Sequence, residues 1–170
     1  DDDGQNETRK TGTATTVGLP MIDLKRFEAE CRLDIPLLNA MQLSFVGFEN
    51  LTLTMEAPLA PNINNKGTAF GGSIASICLF GGWAVSTLSF IDNDIHNTEI
   101  VVFKNEMTFE RPARGLLRVN AWIKPEDFET CLARLKAGDP SRMRLDIHVD
   151  LFHDDDRCAT MHGLYVVWLK

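Results

Sequence analysis

Residues 67–91 read GTAFGGSIASICLFGGWAVSTLSFI, and the interpretation of this stretch decides the fold. It carries no ionisable side chain apart from Cys78, and as a helix it is long enough to span a bilayer. Against a membrane span stand the four glycines after Gly67 (Gly71, Gly72, Gly81 and Gly82), six Ser/Thr residues, and flanking segments that alternate polar and apolar as soluble strands do. A helix apolar on nearly every side can instead be wrapped by protein. Small residues such as Gly72, Ala75 and Ser76 then let other backbone approach closely. The stretch is therefore predicted to be a central helix gripped by a sheet.

The surrounding segments supply that sheet. Upstream, residues 19–33 (LPMIDLKRFEAECRL) place Ile22, Leu24, Phe27 and Cys31 at helical spacing with Pro20 near the start, which predicts an amphipathic helix; a short turn follows through Pro36 to Met41. Residues 42–59 alternate about a turn at Glu49-Asn50, with Leu51, Leu53 and Met55 sharing one face. Downstream, residues 99–112 (EIVVFKNEMTFERP) predict a long strand with Val101, Phe103, Met107 and Phe109 on one face and Lys104, Glu106, Thr108 and Glu110 on the other, ended by Pro112. The alternation resumes in residues 116–124. It then gives way to a helical period in residues 125–138, where Phe128, Cys131, Leu132 and Leu135 recur at i, i+3, i+4 and i+7. Two final strands, 143–154 and 158–170, meet near Asp154 to Arg157. One long helix among about five or six antiparallel strands is an α+β architecture with the helix lying on one concave sheet face.

A chain of 170 residues with 44% hydrophobic and 24% charged side chains suits one soluble domain. That domain is placed at residues 19–170, after a polar stretch at 1–18 that reads as a disordered tail. Net charge −7 lacks the basic face that a nucleic-acid partner requires, and the reading of residues 67–91 as core removes the membrane as a partner. Cys31, Cys78, Cys131 and Cys158 form no C-x-x-C pair, and His148, His153 and His162 show no metal-ligand pattern, so no metal is expected. Dispersed cysteines point to a reducing compartment, the cytoplasm.

The chemistry-bearing segment is the loop entering the long helix, residues 57–73 (APLAPNINNKGTAFGGS). Pro58 and Pro61 stiffen the strand exit, Asn62, Asn64 and Asn65 offer carboxamides, and Gly67, Gly71 and Gly72 permit backbone shapes closed to other residues. If the helix begins near Gly71, its first N–H groups have no intrahelical acceptor and carry the positive end of the dipole, which suits a polarised carbonyl or an oxyanion. The same asparagines also suit plain turns and the same glycines plain close packing. Other chemistries fail on spacing, because the glycines precede no Lys-Ser/Thr pair of a phosphate loop, and Ser73 lies outside a G-x-S-x-G elbow.

The run PLAPNINNKGTAFGGS, the helix ICLFGGWAVSTL and the strand end FERPARG together resemble the hotdog-fold thioesterase superfamily. Within it, the likeness is greatest to the thioesterase-like domain at the C-terminal end of YiiD-type acetyltransferases, over roughly residues 30–170. The most specific part is N-x-x-G-T-x-F-G-G-S, Asn64 to Ser73. The resemblance implies a hotdog fold, homodimers formed by pairing sheets edge to edge or dimers of such dimers, and an acyl thioester of coenzyme A or acyl carrier protein bound at the dimer interface. It implies no cofactor beyond that carrier. Many relatives have His where this chain has Phe70, and an Asp or Glu where it has Leu79. The YiiD-like group shares the Phe and lacks the helix acid.

Carried over residue by residue, Asn64 and Gly71 are the expected catalytic residues, Asn64 helping to position water and the Gly71 N–H polarising the carbonyl. Asn65, Thr68, Phe70 and Gly72 are the expected substrate contacts within the motif. Asn105, polar on an apolar strand face, and Arg111, a cation for a carrier phosphate, are added from outside it. The expected activity is acyl-thioester hydrolysis; the alternative is a module that binds acyl thioesters without cleaving them. A dehydratase on the same fold fits less well, since the His and acid it needs are missing from the matched positions.

Overall fold

The structure, a computed structural model, describes residues 22–170; the tail read at residues 1–18 lies outside them. Helix α1 (Leu24–Asp34) starts where the Asp23 carboxylate accepts the Arg26 N–H at 3.0 Å. The helix predicted from Leu19 thus begins later than Pro20 suggests, because an aspartate cap satisfies a first-turn donor that proline cannot. A single turn, α2 (Leu37–Ala40), leads into β1 (Ser44–Glu49) and β2 (Thr52–Ala57). A short 3₁₀ turn (Ala60–Asn62) and a loop then reach the long helix α3 (Gly71–Ile91). After it come β3 (Thr98–Phe109), β4 (Leu117–Ile123), α4 (Pro125–Lys136), β5 (Met143–His153) and β6 (Asp156–Leu169).

All six strands form one antiparallel sheet in the order β1-β2-β4-β5-β6-β3. The inner face of β2, β4, β5 and β6 is apolar at alternate positions, for example Leu53, Val119, Ile147 and Val167, all at most 1% exposed. It closes on α3, whose Ile77, Cys78, Ala84, Val85 and Leu88 are fully buried. The apolar run of α3 is thus accounted for by the sheet that wraps it. Its closest approach comes at Gly81 and Gly82, where an added Cβ would lie 2.8 Å from Met55 Cε and would collide with the Tyr165 hydroxyl. The expected small-residue contact at Gly72, Ala75 and Ser76 is not where the sheet presses. Gly72 is exposed, and the other two are only partly covered.

Tyr165 is the only tyrosine in the chain and is 1% exposed. Its ring crosses Gly163 on its own strand, and its hydroxyl donates to the Leu79 carbonyl of α3 at 2.7 Å. Glycines at 82 and 163 clear the slot that this ring occupies. Burial drives the phenol pKa well above its ordinary value, so the hydroxyl remains a donor.

Strand β3 departs from its predicted alternation. A bulge between Val102 and Lys104 inserts Phe103, so that Ile100 and Val102 share the inner face with Asn105, Met107 and Phe109, whereas Val101 pairs with the outward Val166. Val101 and Phe103 therefore leave the face assigned to them. The Phe103 ring lies 5.7 Å from the Arg144 guanidinium of β5.

Candidate active site

The loop before α3 is held by its own asparagines. Asn62 is 1% exposed; its Nδ2 donates to the Met41 carbonyl at 2.9 Å and the Pro58 carbonyl at 2.8 Å, and its own backbone carbonyl accepts the Phe70 N–H at 2.7 Å. Asn64 uses its whole carboxamide within the loop. Its Nδ2 donates to Thr68 Oγ1 (2.9 Å) and the Ala69 carbonyl (3.3 Å), while its Oδ1 accepts the Lys66 N–H (2.8 Å) and the Thr68 N–H (3.2 Å). Gly67 closes this turn at φ +73°, a conformation that favours glycine. Finally, the Ala69 N–H donates to the Ala113 carbonyl at 2.9 Å, fastening the loop to the segment that follows β3.

This bracing delivers the start of α3 with its donors open. Phe70, extended at φ −69° and ψ 129°, is the cap residue but gives no side-chain hydrogen bond, and the first backbone bond of the helix is Ile74 N–H to the Phe70 carbonyl. Among the described residues, no acceptor meets the N–H groups of Gly71, Gly72 and Ser73. Gly71 opens on a surface groove of about 290 Å³ with apolar walls from Ala69, Ile74, Phe109 and Pro112, and with Glu110 and Arg111 at its margin. The Phe109 ring stands in ordinary contact range of the position a Gly71 side chain would take. Phe70, 56% exposed, folds its ring over Gly72.

The charged margin is internally paired. Arg111 Nη1 meets Asp156 Oδ1 at 2.6 Å, and Arg157 Nη2 meets Glu110 Oε1 at 3.1 Å. The first turn of α3 contains no acid, and Leu79 is partly buried against the core. Cys78 is fully buried, and its thiol is pushed up to about 12 chiefly by desolvation, so it is packing rather than a nucleophile. Among the described residues, no cluster of three or more His, Cys, Asp or Glu is placed to hold a metal ion.

A family profile described as "Putative thioesterase (yiiD_Cterm)" matches residues 24–169. The chain belongs to this family. Among solved structures it is similar to one described as the putative thioesterase from Shewanella oneidensis, with 27% sequence identity, coverage of 86% of this chain and 97% of that one, and a TM-score of 0.72. It also resembles a protein with unknown function from Chlorobaculum tepidum TLS (22% identity, 86% and 94% coverage, TM-score 0.77). A thioesterase from Haemophilus influenzae is similar as well (12% identity, 89% and 94% coverage, TM-score 0.70). These last two likenesses concern the fold alone. No curated protein matches the chain. Family and fold together establish the hotdog arrangement and support thioesterase activity in general terms.

Within this family member, the expected site residues separate into three groups. Gly71 and Arg111 line the groove, with Phe70 and Gly72 on the same turn. Asn64 and Thr68 are bonded to one another behind it. Asn65 is only partly buried in the loop, and Asn105 borders a different hollow with Lys104, Glu106, Asp146, His162 and Leu164. Sequence reasoning named Asn62 only as one of three loop carboxamides and Phe109 and Pro112 only as parts of a strand and its end, without placing any of them at the groove. The FERP run reads from sequence as a strand end, and only the Ala69 to Ala113 pairing brings it beside the helix.

Proposed function

We propose that this chain hydrolyses acyl thioesters of coenzyme A or acyl carrier protein, with the N-terminus of α3 as the oxyanion site. The observation that carries this reading is the set of unpartnered amides of Gly71, Gly72 and Ser73, which begins at a groove with apolar walls. Water adds to the thioester carbonyl, and negative charge collects on the carbonyl oxygen beside the Gly71 N–H. Collapse then breaks the C–S bond, giving a carboxylate, the free thiol and one proton released to solvent. Aligned amides at a helix start hold negative charge without reorganising during the reaction. A thiolate leaves readily, which lowers the demand for a general acid. With its carboxamide bonded inside the loop, Asn64 contributes by holding the Gly71 amide in place. The working unit in this proposal is a homodimer, alone or as a dimer of dimers, in the cytoplasm.

Thiol release from a panel of acyl thioesters tests the reading. Gly71→Pro is the decisive variant. Proline suits the first position of a helix, and Phe70 before it is already extended, so the substitution deletes one N–H while the fold remains. Loss of one oxyanion donor is expected to slow hydrolysis by about 10²- to 10³-fold. Wild-type protein that releases no thiol from any member of the panel overturns the proposal.

Phe70 and Leu79 in place of His and acid favour a second reading, a module that holds acyl thioesters intact. Calorimetry with a non-hydrolysable thioether analogue separates the two. Binding without turnover supports the module, and no binding at millimolar ligand removes it.

A further inference from the structure

Two asparagines brace the loop before α3, and they brace it differently. Every partner of the Asn64 carboxamide, namely Lys66, Thr68 and Ala69, lies within five residues of it, so Asn64 shapes the turn from within. Asn62 reaches outward. Its Nδ2 donates to the carbonyl of Met41, 21 residues away beside α2, and to that of Pro58, just past β2, which locates the loop within the domain. Met41 is 4% exposed and belongs to the core, so this anchor is fixed. Among the described residues nothing donates to Asn62 Oδ1, and the hold of the side chain runs through its two Nδ2 bonds.

We infer that Asn62 is a positioning residue whose carboxamide sets the direction of the Gly71 N–H, an inference that rests on the oxyanion role given to that amide above. A peptide unit is planar, so the Phe70 carbonyl and the Gly71 N–H turn together. Phe70 is held at both backbone ends, its carbonyl by the Ile74 N–H at 3.0 Å and its N–H by the Asn62 carbonyl at 2.7 Å. Its side chain stands exposed and adds no cap bond, so it does not hold the peptide. The first of these bonds belongs to the helix, and the second refers the peptide to the rest of the domain. Releasing the Nδ2 bonds frees Asn62, and with it Phe70 and the Gly71 amide, to turn relative to the groove walls at Phe109 and Pro112, which lie on another segment. A donor turned away from the developing charge costs rate rather than binding, because the oxyanion exists only as the reaction proceeds.

Thiol release and amide NMR on the full chain test this together. Asn62→Leu keeps the shape of the side chain in a buried site and removes both donors. Its kcat is expected to fall by about 10- to 10²-fold, with KM changed by less than about threefold. Asn93→Leu, which removes a carboxamide bond to the Ser89 carbonyl at the far end of α3, should leave kcat unaltered. In the Gly71→Pro background the donor is already gone, so adding Asn62→Leu should change the rate by no more than about twofold. With isotope-labelled glycine, the Gly71 amide signal is assigned by its absence from Gly71→Pro. That signal should move in Asn62→Leu and stay in Asn93→Leu, a reading that needs no turnover. An unmoved Gly71 signal, an unchanged kcat, losses that multiply in the double variant, or an equal defect in Asn93→Leu overturns the role of Asn62. Asn62→Ser, a smaller side chain, repeats the series if leucine prevents folding; a chain that folds with neither makes Asn62 a folding requirement and overturns its positioning role. Wild type that releases no thiol while its Gly71 signal still answers to Asn62 counts against hydrolysis alone.

Discussion

Helix α3 uses the same dipeptide twice, ten residues apart, for opposite purposes. At Gly71 the missing side chain leaves space open, and at Gly72 the space is taken only by an exposed ring that has solvent to swing into. A Cβ on Gly71 would touch only the Phe109 ring at 3.7 Å, and Gly72 faces only the exposed ring of its neighbour Phe70. At Gly81-Gly82 the missing side chains are what the sheet occupies, with Met55 and Ala121 against one glycine and the Tyr165 hydroxyl against the other. The first pair presents backbone donors to a groove, while the second lets the helix sink into the sheet. An identical local sequence is thus given its meaning by what packs against it.

Substitutions can break this contrast, and they should do so in different readouts. Gly71→Pro carries the largest expected effect, the loss of about 10²- to 10³-fold in thiol release with the melting temperature nearly unchanged. Gly82→Ala should do the reverse. Overpacking against Tyr165 in a closed core costs about 1–3 kcal/mol, visible in urea unfolding, while activity per folded molecule is retained. Tyr165→Phe, which removes the bond to the Leu79 carbonyl, should cost about 1 kcal/mol in the same measurement. Smallest is Gly81→Ala. The flexible end of Met55 can move aside and alanine favours helix by about 1 kcal/mol, so the net change should lie within about 1 kcal/mol of zero. If Gly82→Ala proves as mild as Gly81→Ala, the tyrosine slot is not the constraint described; if Gly71→Pro unfolds the protein, the first pair is packing after all.

A pH titration sharpens the distinction between core and surface. On the outer sheet face the His148 ring stacks on Trp122 at 4.3 Å and on His162 at 5.0 Å, and His162 Nε2 lies 2.6 Å from Asp146 Oδ1. Burial first, then the charge of His162 and of Lys124, lowers the His148 pKa from its ordinary value near 6.5, with Asp146 and Asp150 opposing. The unfolded chain therefore binds this proton more readily, so stability falls as pH drops below about 6.5. His148→Gln should flatten that slope in chemical denaturation, and an unchanged slope would place its origin elsewhere.

Much of the fold was legible because its signals are local. The apolar run at 71–91, the alternation in β2, β4, β5 and β6, and the helical period of α4 each reflect a periodicity of a few residues. Where the reading slipped, the deciding partner was distant or the rule was broken by one residue. The bulge at Phe103 moved Val101 to the other face, and the Asp23 cap shortened α1. At the site, the loop glycines and the open helix start were readable. The sequence left open whether Asn64 makes a turn or faces the site, and it makes the turn; that Asn105 lies apart from the groove and that Phe109 and Pro112 form its wall were not readable, since neither follows from sequence spacing.

By itself the sequence determined an α+β domain with one buried helix, the glycine-rich entry to that helix and the family to which the chain belongs, because composition, period and motif are properties of neighbouring residues. Only the tertiary structure decided which glycine pair faces the surface and which is filled by the sheet, which face each β3 side chain takes, and which edge of the sheet is bare. Those outcomes depend on what lies across space from each residue, and burial, unlike periodicity, is set by partners far away along the chain.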